Sequence, residues 1–417
     1  MSSERLVSSS KNGRALSFIS LYTGAGGLDI GLEAAGLKPA IAVEIDSKSC
    51  ATLRANQGSK LPIFEGDIHD LTSEAISETT GLAPEEVDLV VGGPPCQPFS
   101  KSAYWRSGDT KRLDDPRADT LTAYLRVLRD LKPRAFLIEN VHGLMFRGKD
   151  EGLRLLRNTI DAINRDTGTE YSFEVAKLNA ADYGVPQTRE RVFIIGARDG
   201  TRFKFPKVTH KDPNEICTGD NHEKWRTAWD AIGDLNDLDD PSLKVGGRWG
   251  DLLPSIPDGE NYLYHTDRGD GLPLFGWRRR YWGFLLKLAK NRPAWTVQAQ
   301  PGTAIGPFHW RSRRLSTREL CRIQTFPDNY EIVGGRSDVQ RQLGNAVPSL
   351  LAEILGREIR TQFLGHKPTH PLKLAVKSRA PSHRPERLKP VPKKYHVHIG
   401  NHEPHPGTGR GYAFSSK

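Results

Sequence analysis

The 417-residue sequence predicts an α/β fold, a doubly wound sheet carrying a second and smaller domain, and three observations carry that reading. Residues 15–21 read as a strand that runs into the glycine-rich turn Thr23-Gly24-Ala25-Gly26-Gly27-Leu28 and then a helical pattern stopping at Gly36. Residues 87–91 are another apolar run, broken at once by Gly92-Gly93-Pro94-Pro95, so that a buried strand ends in a stiff turn. From about Lys204 to Arg292 the strand–helix alternation is lost. Pro206, Pro213, Pro241, Pro254, Pro257 and Pro273 mark turn-rich sequence there, the composition break expected at a domain boundary.

Taken in order, residues 1–14 are Ser-rich and polar and are expected to be disordered. The glycine turn lets backbone approach a ligand closely, and the helix start behind it offers free N–H groups. Glu44 closes the next strand, at 40–45, about 20 residues past the turn, where a carboxylate reaches ribose hydroxyls in dinucleotide folds. Asp67 and Ile68 follow a third apolar stretch at 61–64. The same spacing would serve an NAD enzyme, but the turn lacks the G-x-G-x-x-G register and no hydride-transfer site follows.

Cys96 is the residue delivered by the two prolines, at the open end of a strand where an α/β sheet presents its chemistry. A buried, inert thiol is the alternative there. Residues 101–117 are polar and charged, with Tyr104, Trp105, Arg106, Lys111 and Arg112, and read as a loop able to close over a bound strand or as plain solvated chain. Residues 119–131 have helical periodicity, with Pro133 beyond the end. A strand at 134–138 then presents Glu139-Asn140-Val141. Burial at a strand end favours a protonated carboxyl, an acid near neutral pH; a helix cap or surface ion pair is the alternative. In Gln187-Thr188-Arg189-Glu190-Arg191, before a strand at 192–195, arginines at alternate positions of extended chain share one face and offer paired donors.

Residues 277–292 interleave Trp277, Tyr281, Trp282 and Phe284 with Arg278, Arg279, Arg280, Lys287, Lys290 and Arg292. We assign the rings to packing and the arginines to a polyanion. In residues 313–330, RRLSTRELCRIQTFPDNY, Ser316 and Glu319 form a capping box that starts a helix. Gln342-Leu343-Gly344-Asn345-Ala346-Val347-Pro348 precedes a last helix, to about residue 362.

Charge is unevenly placed. Of the net +10, residues 366–417 hold eleven Lys and Arg against two Glu, leaving the rest near +1. That segment also carries seven of the 13 histidines and little apolar content, so it reads as a disordered basic tail, without acid or cysteine partners for a metal. Cys50, Cys96, Cys217 and Cys321 show no C-x-x-C spacing, against a zinc site or a disulfide framework. No segment has the length of a membrane span or the build of a leader, which places the chain in the cytoplasm.

The stretch 87–100, VDLVVGGPPCQPFS, together with Glu139-Asn140-Val141, the Arg189/Arg191 pair, 313–330 and 342–348, resembles the cytosine-C5 DNA methyltransferases, in order from Phe18 to Pro348. The resemblance implies a Rossmann-like S-adenosylmethionine-dependent domain at 15–203 plus 336–365 and a target-recognition domain at 204–335; it ends before the tail at 366–417, whose charge by itself suggests a nonspecific electrostatic arm on DNA. The resemblance also implies that Cys96 attacks the base, Glu139 protonates it, Arg191 holds its O2 and Arg189 supports the site. S-adenosylmethionine would be held by Phe18, Thr23, Gly24, Gly26, Gly27, Leu28, Glu44, Ile45, Asp67, Ile68, Pro94, Leu121, Asn345, Ala346 and Val347. Ile45 stands where some members place an aromatic ring, so weaker stacking is expected. Gln97, Ser100, Arg106, Arg278, Arg279 and Arg280 would contact DNA. The implied partner is double-stranded DNA, with a monomeric enzyme working beside a cognate restriction endonuclease or as an orphan methylase. A transfer-RNA cytosine-C5 methyltransferase and a noncatalytic DNA-binding regulator are the rivals; the latter usually lacks the cysteine or the glutamate, both present here.

Overall fold

The computed structural model describes residues 14–95, 119–140, 151–277, 282–380 and 384–400. Within them seven strands make one sheet: β1 (Ser17–Leu21), β2 (Lys38–Glu44), β3 (Ile63–Glu65), β4 (Leu89–Gly92), β5 (Ala135–Asn140), β6 (Ser172–Asn179) and β7 (Glu190–Ala197). Their order across the sheet is β3-β2-β1-β4-β5-β7-β6. Strands β1 to β5 are parallel, and β7 runs antiparallel to both β5 and β6. From β1 the chain builds outward through β2 and β3, then crosses to β4 on the other side. The strand order therefore reverses between β1 and β4, and open α/β sheets bind ligands beyond the carboxyl ends at such a point.

Side chains alternate across the strands, as a period of two requires. Ile19, Leu21, Val90, Phe136, Ile138 and Ile194 share one core with Tyr124 and Leu128 of α4 (Asp119–Leu131) and with Leu156 and Ile160 of α5 (Glu151–Thr167). Phe18, Leu89, Val91, Leu137, Phe193 and Ile195 face the other way, toward Leu32 of α1 (Gly27–Ala34) and Leu351 and Leu355 of α9 (Ser349–Gln362). Helix α4 keeps the bounds its periodicity predicts. Helices α1 and α9 approach closely because residue 31 lacks a side chain: a Cβ on Gly31 would lie 2.4 Å from both Ala352 Cβ and Ser349 O. That contact brings the segment before α9 onto the glycine turn. The remaining helices of this body are α2 (Ser47–Gln57), α3 (Ser73–Thr80) and α8 (Arg336–Asn345).

Residues 204–335 hold few regular elements, as the turn-rich composition predicts. Besides the two-residue strands β8 (His210–Lys211) and β9 (Glu223–Lys224), they carry the short helices α6 (Ala228–Ile232) and α7 (Thr317–Ile323) and several single 3-10 turns. The capping box at Ser316 is present, with Ser316 Oγ accepting from Glu319 N at 3.2 Å and Glu319 Oε2 from Ser316 N at 2.7 Å. Arg313 clasps the same carboxylate through both Nη atoms at 2.8 and 2.7 Å, so a fully buried glutamate is neutralised and bonded. Two separate cores lie in this region. Val245, Leu252, Leu253, Ile256, Tyr262, Leu274, Leu285 and Phe308 form one. Residues of α6 and α7, with Trp310 and Tyr330, instead share a cluster with Ala25 and Ile30 of the glycine turn and α1 and with Leu343 of α8. A boundary drawn between 335 and 336 therefore cuts a continuous apolar contact.

The tail departs most from expectation. Residues 366–380 and 384–400 are packed and hydrogen-bonded against both bodies, where composition predicts disorder; residues 401–417 and 1–13 lie outside the described residues. Tyr395 is 3% exposed inside the second body's core, stacked on Trp249, with Val391 beside it. Leu372, Leu388, Val397 and Ile399 stay exposed, but Tyr395 is buried and Leu374 and Val391 half-buried, and backbone N–H groups of the segment meet the buried carboxylates of Glu353 and Asp230, two things composition cannot register. Among the described residues no helix is long and apolar enough to cross a membrane.

Candidate active site

A cavity of about 380 Å³ opens beyond the carboxyl ends of β1, β2, β4 and β5, within the usual range for small-molecule sites. The glycine turn forms its floor. Gly24 and Gly26 hold φ of +57° and +78°, and Gly24 N donates to Glu44 Oε2 at 2.7 Å while Asp46 N donates to Oε1 at 2.8 Å. Glu44 is thus fixed at the end of β2, with burial pushing its carboxyl above the ordinary value. Thr23, Gly24, Gly27, Leu28, Glu44, Ile45, Pro94, Asn345, Ala346 and Val347 all line this cavity. Ile45 is 65% exposed, an apolar platform held out at the rim.

Five predicted cofactor positions lie elsewhere. Phe18, the second residue of β1, lies well short of the strand's carboxyl end, and alternation turns it into the core facing α9, where it is fully buried. Tyr22, one residue beyond β1, lines the cavity in its place, with φ of +56° and its hydroxyl donating to Thr120 O at 2.7 Å. Asp67 caps the turn at Ile68–Asp70 by accepting from His69 N, Ile68 packs in the core facing α4 and α5, and Leu121 packs on that core; none of the three lines the cavity. Gly26 also sits off the lining and turns toward Tyr330, whose hydroxyl donates to Ala25 O. Asp29, Asp46 and Arg341 line the cavity without having been singled out. Their signal was weak, since an acid in a helix's first turn and a surface ion pair, here Arg341 to Asp46 at 2.9 Å, are common everywhere.

Glu139 ends β5 at the opposite wall. It is 9% exposed, and burial raises its carboxyl pKa despite the pull of Arg191 and Arg189. Arg191 Nε lies 3.0 Å from Glu139 Oε1. The neighbouring strand comes so close that a Cβ on Gly93 would stand 3.2 Å from Glu139 Oε2, which accounts for glycine there. Gly93, Pro94, Pro95, Glu139, Asn140 and Arg191 line one side of the cavity together. Arg189 does not share Arg191's position as alternation predicts. It precedes β7, is fully buried, and donates through its Nη atoms to Val297 O at 3.2 Å and Gly344 O at 2.7 Å. It therefore ties the strand to the two segments behind it rather than lining the cavity.

Cys96, Gln97, Ser100, Arg106, Arg278, Arg279 and Arg280 lie outside the described residues, as do Tyr104, Trp105, Lys111, Arg112 and Tyr281. Of the neighbouring cations assigned by composition, Lys287 is buried and donates to Ile256 O at 2.9 Å, and Lys290 bonds Arg384 O and Glu386. Both are structural, whereas Trp282, expected to pack, is 51% exposed. Burial pushes the thiols of Cys50 and Cys321 up to about 12, which leaves them inert near neutral pH.

Asp29, at the cavity floor, accepts from Ser20 Oγ at 2.7 Å through Oδ1, while Oδ2 has no hydrogen-bond partner. Burial pushes this carboxyl up from 3.8 to about 7. The folded chain then holds the proton more tightly than the unfolded one, so stability falls as pH rises from about 4 to about 7 and stays lower above. Each tenfold difference in proton affinity is worth ~1.4 kcal/mol, which makes the loss a few kcal/mol. Asp29→Asn is expected to melt higher than the parent at pH 8 and to gain nothing at pH 4. Equal gains at the two pH values in thermal melts would refute the assignment.

The description C-5 cytosine-specific DNA methylase matches residues 16–361. The Type II methyltransferase M.SacI of Streptomyces achromogenes is 39% identical over 373 residues, covering 84% of this chain and 93% of that protein. M.NgoPII of Neisseria gonorrhoeae, also a Type II methyltransferase, is 33% identical over 362 residues, covering 83% and 95%. Among solved structures, Entamoeba histolytica methyltransferase EhMeth superposes with a TM-score of 0.56 at 15% identity, covering 84% of this chain and 98% of that one. A Spodoptera frugiperda DNMT2 mutant superposes with a TM-score of 0.56 at 16% identity, covering 83% and 99%. These two likenesses speak for the fold.

Proposed function

The chain belongs to the C-5 cytosine-specific DNA methylase family, and from that membership we propose how its own residues divide the work. It is a DNA cytosine-5-methyltransferase that uses S-adenosylmethionine and acts on a base flipped out of the duplex through a cysteine adduct. What is proposed here is the assignment of roles, and the observation that carries it is the shared cavity: the glycine turn and Glu44 on one wall, Glu139 and Arg191 on the other, with Gly93-Pro94-Pro95 leading into residue 96.

The lining suits the cofactor. Glu44 offers a carboxylate to ribose hydroxyls, the turn offers backbone N–H groups, Ile45 offers an apolar face, and the acids Glu44 and Asp46 suit a cation. Thr23, Gly24, Leu28, Asn345 and Val347 would complete the grip. When bound, S-adenosylmethionine supplies an electrophilic methyl group on a sulfonium. The Cys96 thiolate adds to carbon 6 of the extruded cytosine, which breaks the ring's conjugation and makes carbon 5 nucleophilic. Charge then develops toward N3, where the Glu139 carboxyl, whose hold on a proton burial strengthens, donates its proton. Arg191, held against Glu139, offers its remaining donors to the base oxygen O2. After methylation a base takes the carbon 5 proton, the electron pair left behind expels the thiolate, and the N3 proton returns to Glu139. Arg189 acts at one remove, through the backbone of Val297 and Gly344.

The relatives' designation as Type II methyltransferases supports reading the chain as the modification enzyme of a restriction–modification pair or as an orphan methylase. Bisulfite sequencing of DNA from an expressing host is expected to reveal methylcytosine at one recurring sequence. A duplex bearing 5-fluorocytosine there should then become covalently attached, because fluorine cannot leave as the proton does. Peptide mapping is expected to locate the bond at Cys96; attachment elsewhere, or none, refutes the assignment.

A further inference from the structure

The tail's contacts fall into two groups, one on each body. On the cofactor side, Glu353 of α9 is fully buried, and its two oxygens accept from Lys373 N at 2.8 Å and Leu374 N at 2.9 Å. Arg357, one turn on, bonds Glu353 and also donates to His370 O and Pro371 O at 2.6 Å each. A buried carboxylate needs all its partners, so this end is held tightly. Leu374 packs into both apolar clusters that meet there.

The chain then crosses. Arg379 bonds Asp230 through its backbone N and its Nε, at 2.7 and 2.8 Å, and reaches Asp234 at 2.8 Å, while Trp229 Nε1 donates to Ala380 O. On the second body Lys389 N donates to Pro254 O at 3.0 Å, Tyr395 Oη donates to Arg248 O at 2.8 Å, and Lys394 pairs with Asp251. Two of the tail's cations, Arg379 and Lys394, are therefore already neutralised by acids of this chain.

We propose that the runs 370–380 and 384–395 form a positioning strap, which ties α9 to the core around Trp249 and so sets how the second body sits over the cofactor cavity. The strap works through packing and paired charge, and its purpose differs from that of an electrostatic arm. Its kinetic consequence rests on the methyltransferase reading above; its structural consequence does not.

The test uses the full chain carrying Tyr395→Ala and Leu374→Ala, singly and together. Neither substitution changes charge, so an arm that merely neutralises phosphates predicts wild-type DNA binding from all three. The strap predicts a several-fold rise in KM for DNA, greatest in the double variant, with S-adenosylmethionine affinity and kcat within twofold of wild type. Small-angle scattering, which needs no activity, should show a broader distribution of interatomic distances in the double variant. Wild-type KM together with a wild-type scattering profile overturns the proposal. Should the parent prove inactive on DNA, the methyltransferase reading fails while scattering still decides the strap.

Discussion

Cys96→Ser is expected to abolish methyl transfer, to below about one part in 10³ of the parent rate, while leaving the affinity for duplex DNA and for S-adenosylmethionine intact. A hydroxyl is a far weaker nucleophile than a thiolate at neutral pH, and the chain offers no substitute. Among the described cysteines, Cys50 and Cys321 are buried with thiols pushed up to about 12, and Cys217 lies on the exposed surface of the second region. Turnover by this variant in a methyl-transfer assay, at more than about a hundredth of the parent rate, would show that carbon 6 is not attacked by that sulfur.

Glu139→Gln is the second large effect, with an expected loss of about 10²- to 10⁴-fold in single-turnover rate, the range in which a positioned acid contributes. The substitution keeps the size of the side chain and an oxygen for Arg191, so cofactor and DNA affinity should change little. What it removes is the transferable proton. The wall tolerates few alternatives, since Gly93 lies against Glu139 Oε2 and Arg191 against Oε1. A rate within tenfold of the parent would reassign Glu139 to the orienting of Arg191 and leave protonation of the base to another group.

The two changes separate by what they spare. Loss of Cys96 should eliminate covalent trapping on a 5-fluorocytosine duplex, whereas loss of Glu139 should only slow it. Arg189 belongs to neither class. Its guanidinium is spent on Val297 O and Gly344 O, so its removal should disturb the seating of the segments at 297 and 344 before it disturbs the chemistry.

Much of the architecture was legible in the chain because the signals are local. The alternation of Phe18 and Ile19, of Val90 and Val91, and of Phe136 and Leu137 places one sheet between two helical layers, and the positions of α4 and of the capping box at Ser316 follow from periodicity and side-chain reach alone. Motif order likewise placed Glu44, Glu139 and Asn345 around one cavity. Local pattern thus marks the residues at strand ends, and with them the chemistry. Long-range packing, by contrast, turns Tyr22 rather than Phe18 to the cavity, buries Arg189 as a tie, and lays a basic, proline-rich tail across both bodies. Those outcomes depend on partners far away in the chain, such as Asp230 and Trp249, whose carboxylates and rings meet the tail only after folding, and no local pattern carries that information.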